Sequence, residues 1–127
     1  MAALRTKALA LTGLFIALVE QRCDGHGLQL VTPRAHERRG SQVSLARDEG
    51  AYPIMQALIA RGVIGDFRAG DPQAAAGGFD RMDIMRFGFT PLYTGHADVW
   101  QAVEHVHAVL SSGEWAQERF NRKLAVT

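Results

Sequence analysis

The chain is 127 residues long, with 47% hydrophobic and 21% charged residues. That is one globular domain's worth of sequence; it excludes a disordered, collagen-like or disulfide-scaffold chain, and it excludes a complete multi-domain enzyme within these residues. Fourteen Lys and Arg against 13 Asp and Glu leave a formal charge of +1, so no global field draws polyanions, and the lone Cys23 can form no internal disulfide. A reducing, cytoplasmic compartment is the expectation.

Arg5 and Lys7 followed by the apolar run Ala8 to Val19 look like the start of a secretory signal. The run is too short for the roughly 20 residues of a membrane span, and Glu20, Gln21, Arg22 and Cys23 stand where small residues would mark cleavage. A packed amphipathic helix is the better reading, with Leu4, Leu11, Leu14, Phe15, Leu18 and Cys23 on its apolar side and Arg5, Thr12 and Glu20 away from it. Gly25 and Gly27 end it. Its middle is more apolar than a small sheet requires, which predicts a face for another domain or for self-association.

Leu28 to Thr32 and Gln42 to Leu45 alternate apolar with polar and predict an antiparallel strand pair. Ala51 to Arg61 predicts a helix carrying Tyr52, Met55, Leu58 and Ile59 on one side, with Pro53 in its first turn and Gly62 after its last. Val63 to Arg68 and Asp83 to Phe89 predict two more strands, and residues 69–80 a mobile surface loop. A helix over Asp98 to Ser111 ends at Gly113, and a helical tail runs from Glu114 to Phe120. The expected fold is therefore α+β, a small antiparallel or mixed sheet covered by helices on one face, in the order αββαββα.

Cys23 and His26 make half a zinc site with no second pair to complete it. His105 and His107 are about 200° apart around a helix and cannot share an ion. Arg34 to Ser41 is basic but holds no aromatic residue, which makes it a solvated loop sooner than a nucleic-acid surface. Arg86 stands out: flanked by Met85 and Phe87, its guanidinium needs an anion, either an internal Asp or Glu or an external carboxylate.

Five segments carry a likeness to a known family: Leu9 to Cys23 (LALTGLFIALVEQRC), Leu30 to Arg34 (LVTPR), Arg39 to Ser44 (RGSQVS), Gln56 to Arg68 (QALIARGVIGDFR) and Ile84 to Tyr93 (IMRFGFTPLY). Together they resemble the C-terminal part of bacterial kynureninase, in the family's order, from about residue 4 to the tail. The resemblance implies the small C-terminal domain of a fold-type-I pyridoxal 5'-phosphate enzyme occupying residues 1–127, with the large cofactor-binding domain lying outside them. It implies a cytoplasmic homodimer that hydrolyses L-kynurenine, or its 3-hydroxy form, to an anthranilate and L-alanine in tryptophan catabolism and NAD biosynthesis. It assigns to Arg86 the substrate α-carboxylate, held by a two-pronged clamp that keeps the breaking bond aligned with the cofactor. Lys7 and Lys123 match no cofactor-lysine motif, so this chain is expected to bind no cofactor covalently and to be inactive alone. Residues 70–82 depart from the family, which usually joins these strands by a much shorter link. The expected partners are the small-molecule substrate and the missing large domain or a second copy, with no nucleic acid and no membrane. The alternative is a free-standing α+β binding or interaction module without catalysis.

Overall fold

The computed structural model describes residues 2–32, 42–63, 65–74, 78–89 and 94–121. Helix α1 (Ala2–Arg22) leads into strands β1 (Gln29–Leu30) and β2 (Gln42–Arg47), helix α2 (Ala51–Ala60), strands β3 (Gly65–Arg68) and β4 (Asp83–Gly88), helix α3 (His96–Ser112), a 3-10 turn (Glu114–Ala116) and α4 (Glu118–Asn121). The strands form one antiparallel sheet in the order β1-β2-β4-β3, so the α+β expectation and its element order stand. The basic stretch Arg34 to Ser41 and the segment Thr90 to Tyr93 lie outside the described residues.

Strand alternation divides the sheet into two unlike faces. Val43 and Leu45 of β2 and Met85 and Phe87 of β4 point to the helices and are buried. On this side Phe15 of α1 sits between Phe87 and Phe89, its ring centroid 5.1 and 5.0 Å from theirs. Val99, Val103 and Val106 of α3 and Ile54, Met55 and Leu58 of α2 complete the core.

Several elements differ from the sequence reading, each for a local reason. The first strand is only two residues long because the Thr32 hydroxyl accepts the Ser44 N–H at 2.7 Å, in place of a backbone carbonyl of the ladder. The third begins at Gly65 and not Val63, because the Val63 and Gly62 N–H groups close the end of α2 on the carbonyls of Leu58 and Ile59 at 3.0 and 2.9 Å, with Gly62 left-handed at φ 88°. Thr12 is fully buried, its hydroxyl satisfied by donating to the carbonyls of Ala8 and Leu9, so it belongs to the packed side of α1. On α2 the buried side runs through Ile54 and Ala57, and Ile59 is 45% exposed.

Most of the apolar surface of α1 is used within the chain, while Ala3, Ala10 and Ala17 are exposed and Leu4, Leu9 and Leu14 half-buried. Leu11, Phe15, Ile16, Leu18 and Val19 are all buried within the chain, and the large hydrophobic side chains exposed among the described residues are Ile59 and Trp100. The helix packs on α3 as well as on the sheet, and an Arg22–Glu104 ion pair ties the two helices together. The sequence could not reveal that second partner, so the helix looked more apolar than one sheet needs.

The loop after β3 is tied back on itself at both ends. Asp83 accepts the Gly70 N–H at 2.8 Å, the Asp71 N–H reaches the Asp80 carbonyl at 2.8 Å, and Arg81 donates through Nε to the Ala74 carbonyl at 2.6 Å. A Cβ on Gly70 would lie 2.1 Å from the Arg81 carbonyl oxygen, so only glycine permits this closure. Residues 69–74 and 78–82 are thus turns and bends on the surface, as a surface loop was expected to be, and these hydrogen bonds tie them together.

Candidate functional site

Arg86 lies on the face of the sheet opposite the helices. In register it stands between Ser44 of β2 and Asp66 of β3, so these three form one open row across that face, while the next row, Ala46 and Ile84, is buried. Its Nε donates to Asp66 Oδ1 at 2.6 Å and its Nη2 to Oδ2 at 2.9 Å, a side-on, two-pronged pair. The pairing raises the guanidinium's pKa above its ordinary value, through the hydrogen bond first and the charge second. Arg86 is therefore a cation at any working pH.

This corrects one expectation. The side chains of Arg86 and Asp66 are 42% and 58% exposed, so the guanidinium is not desolvated by Met85 and Phe87, which alternation sends to the other face. Of the two anions weighed for it, the internal carboxylate is present. Asp66 was missed because cross-strand partners depend on hairpin register, which the length of the 69–82 connection conceals. The alternation of Gly65-Asp66-Phe67-Arg68 on the neighbouring strand was the available signal: it puts an acid on the same face as Arg86 once the two strands are paired.

The side-on pair engages only one edge of the guanidinium. The edge formed by Nη1 and the outer N–H of Nη2 has no partner among the described residues. It is the edge with which an arginine takes a second carboxylate end-on. Neither the cavity of about 340 Å³ between the end of α1 and β1 nor the groove of about 420 Å³ between α3 and the end of β4 is lined by Arg86 or Asp66.

The other residues singled out in the sequence are not brought to this face. His105 faces Arg61 at 3.3 Å and His107 faces Ser111 at 3.3 Å, on different sides of α3. Arg61 is shared with Glu114, in a clamp of 2.5 and 3.1 Å that holds Glu114 below the usual carboxylate range. Among the described residues no group of three His, Cys, Asp or Glu side chains could hold a metal ion.

Cys23 is 2% exposed, and burial pushes its thiol up to about 11, with the Arg22 charge opposing. It is a packed thiol and not a nucleophile. Native Cys23 should resist a thiol reagent such as iodoacetamide at pH 7.5 and react fully once the chain is unfolded; rapid stoichiometric alkylation of the folded chain would contradict this. Because the unfolded thiol ionises first, its contribution to stability is complete below pH 9 and is lost between about 9 and 11, roughly 2–3 kcal/mol in all.

The fold and the paired guanidinium define the class: a small α+β domain with helices on one face of its sheet and an arginine–aspartate pair on the other. Residues 4–106 match the model of the kynureninase C-terminal domain, and the chain belongs to that family. It is 53% identical over all 127 residues to a protein named kynureninase from Burkholderia mallei (strain SAVP1), and 54% identical to a kynureninase from Pseudomonas fluorescens. The chain spans 27% of the length of each of these relatives.

Proposed function

We propose that this chain is the small domain of a kynureninase-type hydrolase, in which Arg86 binds the α-carboxylate of L-kynurenine or 3-hydroxykynurenine. The products are an anthranilate and L-alanine, and the reaction class belongs to tryptophan catabolism and the supply of NAD precursors. The observation that carries this reading is the open face of the sheet, where a guanidinium fixed by Asp66 keeps one two-donor edge available. The relatives' names support the substrate class, and Arg86, on β4, belongs to the R-F-G-F segment that carries the family resemblance.

Among the described residues nothing groups Lys7 with Arg86 into a site for pyridoxal phosphate. Lys7 is on α1, which packs against the helix-covered side of the sheet, while Arg86 is on the other side. No side chain of this chain is assigned to the cofactor, which the remaining length of such an enzyme would hold. Arg86 fixes one end of the substrate, and the catalytic groups come from outside these residues. A cytoplasmic enzyme working as a homodimer is part of the same reading. Among the described residues no helix is long and apolar enough to cross a membrane.

The test is reconstitution. Borohydride reduction of the 127-residue chain with pyridoxal phosphate should leave Lys7 and Lys123 unlabelled above background, and the chain alone should release no anthranilate from kynurenine. Joined to the cofactor-bearing portion of a kynureninase, it should restore anthranilate release. Site-selective labelling of either lysine, or a folded fusion that binds cofactor and turns over nothing, would leave the free-standing binding module as the better account.

A further inference from the structure

The geometry points to Asp66 as a positioning residue for Arg86, one that grips the side of the guanidinium so that its end-on edge meets the substrate carboxylate. This rests on the reading of Arg86 given above and adds a residue to it. Three observations carry it. The contact is two-pronged, Nε to Oδ1 at 2.6 Å and Nη2 to Oδ2 at 2.9 Å, which fixes the plane of the guanidinium as well as its position. The two residues are cross-strand partners in register, so the grip is built into the β3–β4 ladder. The pair is exposed on both sides, so it compensates no buried charge and adds little to folding, as solvated ion pairs do.

An exposed arginine on a flat sheet face otherwise samples many rotamers, and a carboxylate that binds it must first halt that motion. Asp66 removes most of this freedom in advance. It does so without occupying the edge a second carboxylate needs, because one guanidinium has five N–H donors and the side-on pair uses two of them. Two carboxylates on one guanidinium repel each other, but both stand in water, where the interaction is weak and screened. Asp66 does not touch the reacting atoms and acts only through Arg86.

The backbone around Asp66 supports the assignment. Gly65 before it crosses the sheet so closely that a Cβ there would lie 2.8 Å from the Arg86 carbonyl oxygen and 2.9 Å from the Met55 methyl. The β3 backbone is thereby held tightly against β4 and α2 at the place where Asp66 leaves it.

The experiment has two arms. In the unaltered 127-residue chain, the Arg86 Nε–H should give a slowly exchanging nitrogen-edited NMR signal, assigned by its loss in Arg86→Lys, and the signal should persist when acetate is added to saturation. Its loss on adding acetate would mean that Asp66 competes with carboxylates for Arg86, and would overturn the inference. In the enzyme assembled with its cofactor-bearing portion, Asp66→Asn should lower kcat/KM for kynurenine about tenfold, chiefly in kcat, because the carboxylate still binds but the reacting bond is held out of line. Asp66→Glu, which keeps the charge, should recover much of that loss. An Asp66→Asn enzyme as active as the unaltered one, or more so, would also overturn the inference. If Asp66→Asn does not fold, the acetate arm decides alone. Failure of the underlying reading is distinguishable, because an Arg86→Lys enzyme of normal activity would remove Arg86 from substrate binding whatever Asp66 does.

Discussion

In the assembled enzyme Arg86→Lys should reduce kcat/KM for kynurenine by ten- to a hundredfold or more while leaving cofactor occupancy unchanged. Lysine keeps the positive charge but replaces a planar fork by a single ammonium point, so the carboxylate can rotate about its contact. It also gives up the Nε and Nη2 donors that hold Arg86 to Asp66 at 2.6 and 2.9 Å, so the cation itself becomes free to move. Losing one charge-assisted hydrogen bond costs about 1.5–3 kcal/mol, and each 1.4 kcal/mol is a factor of ten in rate. Looser orientation of the substrate adds to that. The fold should survive, since position 86 is on the open face and a lysine there extends into water. The measurement is steady-state anthranilate release by both enzymes at equal cofactor loading. Equal kcat/KM would show that the substrate is anchored elsewhere and that Arg86 serves the sheet.

Phe15→Ala should be the most destabilising of the substitutions considered, by about 3–5 kcal/mol. Phe15 is fully buried and its ring meets both Phe87 and Phe89, so truncation leaves a void where α1 meets β4 and removes two aromatic contacts. Against the 5–15 kcal/mol that holds a domain of this size together, such a loss lowers the melting temperature by roughly 10 °C or more. Trp100→Ala is the control: at 47% exposure its removal should change stability by no more than about 0.5 kcal/mol. Urea unfolding of the three chains, followed by circular dichroism, gives both numbers. A Phe15→Ala chain within 1 kcal/mol of the parent would mean that α1 is not part of the core described here. The consequence reaches the candidate site, because Phe87, which Phe15 covers, helps decide which way β4 faces and therefore where Arg86 points.

Local chemistry made much of this molecule legible from its residues alone. The left-handed glycines Gly25, Gly62 and Gly113 closed the three long helices where the sequence placed their ends, because few other residues take that conformation without strain. Period-two alternation located four strands and put Arg86 on one face with Met85 and Phe87 on the other. The substrate-carboxylate role proposed for Arg86 rests on the family likeness, which no spacing could supply.

What tertiary structure alone decided depended on pairs of residues distant in the chain. The Arg86–Asp66 grip spans 20 residues and needs the β3–β4 register, which is tied by the hydrogen bonds of Gly70 to Asp83 and of Asp71 to Asp80. The apolar excess of α1 found its use only in α3, a helix 74 residues further on by the count from Arg22 to His96. Thr12 is buried and Ile59 exposed, against expectation, because burial follows what a helix face packs against, and a hydroxyl satisfied by its own helix can enter a core. Periodicity determines what each segment can present; which surfaces meet, and so which carboxylate holds which guanidinium, is set by the packing of all segments at once.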